Sequence, residues 1–195
     1  MGTILEDIYD VLFQPRLALG RIANQAKLSS ALVVFLVCVF VPMWAIYLGM
    51  QVTGSPASVG FIMVAQAIGS VAVWLIGTAV WHLCAELLGG RGSAVGLLAA
   101  LGFAHFPRIF IVPLWVLATW LPAAVAPLFL GGTGAVIALW TISLEVLAIS
   151  GAYEISRTKA VLVLLTPVLF MIASVLILVF MAGATLIQWP LGLAN

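Results

Sequence analysis

Charge is what this sequence has least of. Asp, Glu, Lys and Arg together make up 7% of its 195 residues, whereas a soluble domain carries about 25% charged residues. Hydrophobic residues reach 65%, and the mean hydropathy is +1.32. An ordinary soluble domain is therefore excluded. The net charge is only +1, and the basic residues are spread along the chain rather than clustered, so we expect no nucleic acid partner.

Cysteines and catalytic motifs are also scarce. The two cysteines, Cys38 and Cys84, both fall inside apolar segments, where a small buried hydrophobe is more common than a disulfide or a metal pair. The sequence contains no GxSxG motif, no HExxH motif and no paired aspartates within its apolar segments. We therefore expect neither an enzyme nor a bound metal or other cofactor. The alternation that is typical of transmembrane strands is absent as well.

Long apolar runs, in contrast, are abundant. A run of about 18 or more apolar residues is long enough to cross a bilayer as a helix. These runs predict an all-α polytopic membrane protein, a five-transmembrane-helix bundle whose membrane domain covers residues 31–182. The predicted spans are about residues 31–50, 59–88, 94–121, 135–152 and 160–182.

The third predicted span is too long to cross the bilayer as one straight helix. Residues 94–121 would make a helix of about 42 Å at about 1.5 Å per residue, while the hydrocarbon core is about 30 Å thick. We therefore expect this span to tilt, kink or break at Pro107 or Pro113. Residues 122–134, which are rich in proline and glycine, predict a loop, and residues 183–195 predict a tail.

Residues 1–30 form the extended polar region of the chain. Their first half places apolar residues at helical spacing opposite three acidic ones, Glu6, Asp7 and Asp10. Pro15 then suits the first turn of a second helix. We interpret the segment as one or two short amphipathic helices on the membrane surface, with a polar tail as the alternative. A cleaved signal peptide is not expected, because the segment is long and carries acidic residues.

Basic residues are distributed asymmetrically around the five predicted spans. Residues 1–30, 89–93 and 153–159 lie on one side of the membrane in this topology and hold six of the seven basic residues. Cytoplasmic loops carry the excess of Lys and Arg. We therefore expect the N-terminus inside the cell and the C-terminal tail outside it.

Four short motifs occur in a characteristic order. FQPRLAL precedes the first span, LLGGRGSAVG joins spans two and three, FAHFPRIF lies within span three, and SRTKAVLVLL opens span five. In this order and spacing they resemble the Yip1-domain family, specifically its compact prokaryotic members, over nearly the whole chain. The positions that match the family's motifs are Pro15, Gly89, Gly90, Gly92, Ser93, Pro107 and Lys159.

The resemblance implies an integral protein of the cytoplasmic membrane of a prokaryote, with a cytosolic N-terminus. Eukaryotic relatives bind Rab-type GTPases, but their long cytosolic arm is missing here, which argues against Rab binding. The resemblance favours a non-catalytic scaffold or accessory subunit that contacts the lipid bilayer and either another membrane protein subunit or a second copy of itself. The alternative is a small oligomeric transporter or channel that uses intramembrane Arg, Glu and His residues.

Ionisable side chains inside the predicted spans are the candidates for a functional site. Placing such a group in a bilayer costs roughly 2.5–3.5 kcal/mol on insertion scales, so each needs an explanation. The candidates are His82, Glu86, His105, Arg108 and Glu145. His82 and Glu86 are four residues apart and share one helical face, which predicts either a proton-accepting pair or a local hydrogen bond near the headgroups.

Arg108 lies deep in the third span among hydrophobic neighbours, and Glu145 is the one acid deep in another span. Our hypothesis is that Arg108 pairs with Glu145, with His105 nearby, because a bend at Pro107 would bring the two charges together. Such a pair would be either a functional site or an ion pair that sets the register of the helices.

Overall fold

The computed structural model describes residues 3–52 and 59–192, with side chains described for residues 3–47 and 60–181. Within these ranges the regular structure is helical. The α-helices are α1 (Ile4–Phe13), α2 (Pro15–Asn24), α3 (Leu28–Val52), α4 (Val59–Leu87), α5 (Ala94–Ala104), α6 (Ile111–Ala118), α7 (Ala126–Tyr153) and α8 (Arg157–Gly192). Five segments are long and apolar enough to cross a membrane: α3, α4, α5 with α6, α7, and α8. The predicted all-α five-span fold is confirmed.

The third span is broken, as its length predicted. The α-helix α5 ends at Ala104, a 3₁₀ turn covers Phe106–Phe110, and α6 then continues in the same apolar segment. Pro107 stands at the start of the 3₁₀ turn, because proline has no N–H for a helical hydrogen bond and its ring collides with the preceding turn. Pro113 instead lies in the first turn of α6, where an N–H has no intrahelical partner and its loss costs little. The break therefore lies at Pro107.

The predicted loop over residues 122–134 is wrong for most of its length. α7 already begins at Ala126, with Pro127 in its first turn, a position where proline is well tolerated. Glycine is more frequent in transmembrane helices than in soluble ones, so the glycines of this stretch do not end the helix. α8 is longer than its predicted span too, since it reaches Gly192. Residues 193–195 of the predicted tail lie outside the described residues.

The buried core lies at one end of the bundle. We call this the capped end: α3, α5 and α8 begin there, α4 and α7 end there, and α1 and α2 cover it. The opposite end is the open end. α2 makes the most extensive contacts in the molecule, against α7, and it also packs on α5. Its side chains Leu19 and Ile22 are both fully buried. The two predicted N-terminal helices exist, and α2 packs its apolar face against α5 and α7 while its polar face stays exposed.

Glycines allow the helices of the capped end to approach one another closely. α2 crosses α7 where Gly20 meets Gly151, and a Cβ on Gly151 would lie 3.0 Å from the Gly20 nitrogen. On α5, a Cβ on Gly96 would lie 2.5 Å from the carbonyl oxygen of Ala23. Small residues of this kind are typical where helices in a membrane pack backbone against backbone.

The open end is loosely packed in comparison. In the most apolar stretch of the third span 56% of the residues are buried, whereas the corresponding share is 6% in α4 and 6% in α8. Most apolar side chains of these two helices therefore face away from the chain.

Candidate functional site

The 3₁₀ turn places Arg108 between α3 and α4. Its side chain lines a cavity of about 340 Å³ and also a second, adjoining cavity. The walls of the first cavity are mainly apolar, and its polar lining residues include Gln66 and Ser70 of α4. No residue of α7 lines either cavity. Arg108 therefore faces a recess that opens between two helices and is lined by residues of α3 and α4.

Arg108 and Glu145 make no direct ion pair, although each charge acts on the other electrostatically. The ion pairs among the described side chains join Asp7 to Arg21 and Lys27, Asp10 to Arg21, and His82 to Glu86. The 3₁₀ turn itself packs against α3 and α7, while the Arg108 side chain lines cavities that are bordered by α3 and α4. Within the part of the chain that the structure describes, the guanidinium donates no hydrogen bond to a protein acceptor.

His105 ends α5, and the structure places it next to Arg108, as predicted. Its ring is buried and lines the second of the two cavities. The Nδ1 atom lies 2.8 Å from the carbonyl oxygen of Leu101, and since a carbonyl can only accept, Nδ1 carries the proton. The ring also meets the edge of Phe35 with centroids 5.1 Å apart. These two contacts hold the His105 ring in place.

His82 and Glu86 belong to a different group at the capped end. The Nε2 atom of His82 lies 3.6 Å from Glu86 Oε1, and its Nδ1 atom lies 2.5 Å from the hydroxyl oxygen of Tyr153. Tyr153 is buried, while Glu86 is exposed. The resulting chain of polar contacts runs from the surface inward and ties α4 to the end of α7. Sequence reasoning missed Tyr153, although its place at the junction of an apolar span and a charged loop could have marked it.

The motif residues Gly89, Gly90 and Gly92 form the turn between α4 and α5. Gly89 has φ +82, a left-handed conformation in which glycine ends a helix without strain. The Gly90 N–H then donates to the carbonyl of Ala85 at 2.9 Å. A Cβ on Gly90 would lie 2.9 Å from the Tyr153 side chain, and one on Gly92 would collide with the backbone of Ala152. The loop is therefore glycine-rich because Tyr153 packs directly against it.

The remaining motif residues begin or end helices. Ser93 caps α5, since its Oγ accepts from the Gly96 N–H at 3.0 Å, and Pro15 is the first residue of α2. Lys159 Nζ donates to the carbonyl of Leu88 at 3.0 Å, so a residue of α8 satisfies the end of α4. Motif positions that are about 70 residues apart thus meet at the capped end, and their contacts are those of structural residues.

A buried ionic group under α1 was not predicted. The sequence pattern placed Asp7 on the polar face of the helix, but its side chain is 1% exposed. Asp7 accepts from Lys27 Nζ at 2.6 Å and from Arg21 Nη2 at 3.0 Å, and Arg21 also bonds Asp10 at 2.7 Å. The hydrogen bond with Asp10 raises the pKa of Arg21 above its ordinary value. These ion pairs connect α1 to α2 and to the residue that precedes α3.

No group of three His, Cys, Asp or Glu side chains comes together within the described ranges in a way that could hold a metal ion. The residues of the Arg108 recess offer hydrogen-bond donors and one positive charge, which are suited to an anion rather than to a cation.

Comparison with protein families decides the identity of the chain. The model of the Yip1 domain matches residues 9–180. The chain belongs to the Yip1-domain family. A search of curated proteins and a search of solved structures each found no match. As a multi-pass membrane protein of the Yip1-domain family, the chain has the five apolar helices that its motifs implied.

Proposed function

We propose that this Yip1-domain protein is a non-catalytic scaffold or accessory subunit of a membrane assembly. The observation that carries the proposal is the small buried share of α4 and α8, 6% in each apolar stretch. These two helices lie side by side and together offer a broad apolar surface that the chain itself does not cover. Lipid covers apolar surface equally well, so a contact with a second membrane subunit or a second copy of this chain needs small residues that allow close helix packing.

The exposed face of α4 has the composition of a helix-packing surface. A Cβ added at Gly69 would meet no atom within 4 Å, and Ala65, one turn earlier on the same face, is exposed. In lipid there is no hydrophobic driving force between helices, so close approach at small residues supplies much of the association energy. This face of α4 is therefore our proposed contact for the partner subunit.

The experiment is purification in mild detergent, followed by native mass spectrometry of the wild type and of Gly69→Leu. We expect the wild type to retain a membrane protein partner or a second copy, and Gly69→Leu to lose it. Gly131→Leu is the matched control, because Gly131 on α7 also has open space around it. A wild type that is monomeric and free of partners under these conditions would overturn the proposal.

The alternative function is a small oligomeric transporter or channel. One observation favours it: the third span is discontinuous, and Arg108 lines a recess at the break. Discontinuous helices frame the binding sites of many transporters. The test is ion flux through liposomes that contain the purified protein, with Arg108→Gln as the variant. Flux in the wild type that Arg108→Gln abolishes would establish this function instead of the scaffold.

For the membrane and its sidedness, we propose the cytoplasmic membrane of a prokaryote with the capped end inside. The capped end carries the same excess of basic side chains that the sequence placed on one side. Single cysteines in a background without Cys38 and Cys84 test this. A cysteine at exposed Arg91 should resist a membrane-impermeant maleimide in intact cells, and one at exposed Trp120 should react. The reverse pattern would place the capped end outside.

A further inference from the structure

The recess around Arg108 has the make-up of a binding site for an anion with an apolar tail. Arg108 is partly buried within a membrane-spanning segment, and none of the ion pairs of the described side chains includes it. An arginine in a membrane is normally paired with a negative charge or with backbone carbonyls. Glu145 acts on Arg108 electrostatically but forms no direct contact with it, so the N–H donors of this guanidinium are free to bind a further partner.

The lining of the recess divides into a polar part and an apolar part. Arg108, Gln66 and Ser70 supply hydrogen-bonding groups, and all three line both adjoining cavities. Val39, Met43, Ile46 and the other aliphatic lining residues supply apolar walls. A cavity of about 340 Å³ with apolar walls and a few converging polar groups is typical of a site for an organic ligand. Water or a simple inorganic anion would leave these apolar walls without a partner.

The position of the recess favours a lipid as the occupant. Gln66 and Ser70 lie seven and eleven residues after the first residue of α4, which is about 10 to 17 Å from the open end at about 1.5 Å per residue. The recess also lies beside α4, of whose apolar stretch the chain buries only 6%. It is reached sideways from the bilayer as long as no partner covers Ala65 and Gly69, which line its second cavity. A guanidinium binds phosphate through paired N–H donors.

We propose that Arg108 binds the phosphate of a phospholipid from the leaflet at the open end, with one acyl chain of that lipid lying between α3 and α4. Gln66 and Ser70 donate further hydrogen bonds to the headgroup. The bound lipid neutralises the one basic residue that lies away from the capped end, and it fills a gap that helix packing leaves open.

The experiment is native mass spectrometry of the delipidated, detergent-solubilised full chain, titrated with phosphatidylglycerol. Three comparisons accompany this titration. The wild type is titrated with diacylglycerol that has the same acyl chains and with inorganic phosphate, and Arg108→Gln is titrated with phosphatidylglycerol. We expect one tightly bound phosphatidylglycerol on the wild type, at least tenfold weaker binding to Arg108→Gln, and equally weak binding of diacylglycerol to the wild type. Arg91→Gln, which changes an exposed loop arginine, is the matched control and should bind as the wild type does.

Several results would overturn this assignment. If Arg108→Gln binds phosphatidylglycerol as the wild type does, Arg108 does not take part in binding. If diacylglycerol binds as tightly as phosphatidylglycerol, the phosphate does not contribute to binding. If inorganic phosphate displaces the lipid completely, a free anion is the occupant. Co-purification of a protein whose acidic residue occupies Arg108 and excludes lipid would also contradict it. If Arg108→Gln does not fold, Met63→Trp narrows the recess and should weaken lipid binding while Arg108 is retained.

Discussion

The capped end and the open end of this bundle are held together differently. At the capped end, glycines let backbones touch, helix ends are satisfied by Ser93 and Lys159, and Asp7 is buried against two cations. At the open end, α4 and α8 expose most of their apolar side chains. Since lipid is as apolar as leucine, apolar surface alone does not hold helices together in a membrane. Close contacts and polar groups do so, and this chain concentrates them at one end.

The largest effect on this contrast should come from Gly96→Leu. A side chain here collides with the carbonyl of Ala23, so α2 cannot dock on α5. We expect the free energy of unfolding to fall by about 3 kcal/mol or more, at the upper end of overpacking costs. Thermal unfolding in detergent measures the loss. Gly134→Leu, at the open end with free space around it, should leave stability nearly unchanged. Equal losses in both variants would mean that the two ends are packed equally tightly.

Asp7→Asn should have the next largest effect. The substitution keeps the shape of a side chain that is 1% exposed but removes the negative charge between Lys27 and Arg21. We expect the free energy of unfolding to fall by about 2 kcal/mol, because Lys27 and Arg21 lose the buried negative charge that they share. Asp10→Asn is the control, since Asp10 is 38% exposed and pairs of that kind contribute about 0–1 kcal/mol. Equal unfolding temperatures for the two variants would contradict the burial of Asp7.

Tyr153→Phe should have a moderate effect. It removes the hydroxyl that is hydrogen-bonded to His82 Nδ1 and leaves the ring against the glycine loop. We therefore expect the free energy of unfolding to fall by about 1 kcal/mol. The signal of the His82 imidazole in NMR spectra should change at the same time. Tyr9→Phe, at a tyrosine that is 60% exposed, is the matched control. If the His82 signal is unchanged in Tyr153→Phe, the hydrogen bond between α4 and α7 does not exist.

Lys159→Ala should have the smallest effect. It leaves the carbonyl of Leu88 at the end of α4 without its lysine donor, which typically costs about 0.5 kcal/mol at an exposed site. Hydrogen exchange of the amides in the last turn of α4 should speed up, while exchange in α3 stays the same. Arg157→Ala, in the same first turn of α8, should produce no such change. Faster exchange in both variants would point to the start of α8 in general rather than to the cap.

Sequence reasoning succeeded where one dimension, position along the membrane normal, was enough. The five spans follow from the lengths of the apolar runs, and the break in the third span follows from its excess length and from Pro107. It failed on direction around the helix axis. Asp7 was assigned to the polar face of α1 but is buried. Arg108 was predicted to pair with Glu145, but its side chain lines a recess between α3 and α4 and acts on Glu145 without direct contact.

The sequence by itself therefore determined that the chain spans a membrane with five helices, because a bilayer admits backbone only when its hydrogen bonds are satisfied within the segment and its length matches the hydrocarbon core. Only the tertiary structure decided which polar groups meet: Asp7 with Lys27, His82 with Tyr153, and Arg108 with an open recess. The physical reason is that α3, α4, α5 and α7 are apolar all round. Their hydropathy does not mark a buried face, so helix orientation depends on the fit of small residues between neighbours.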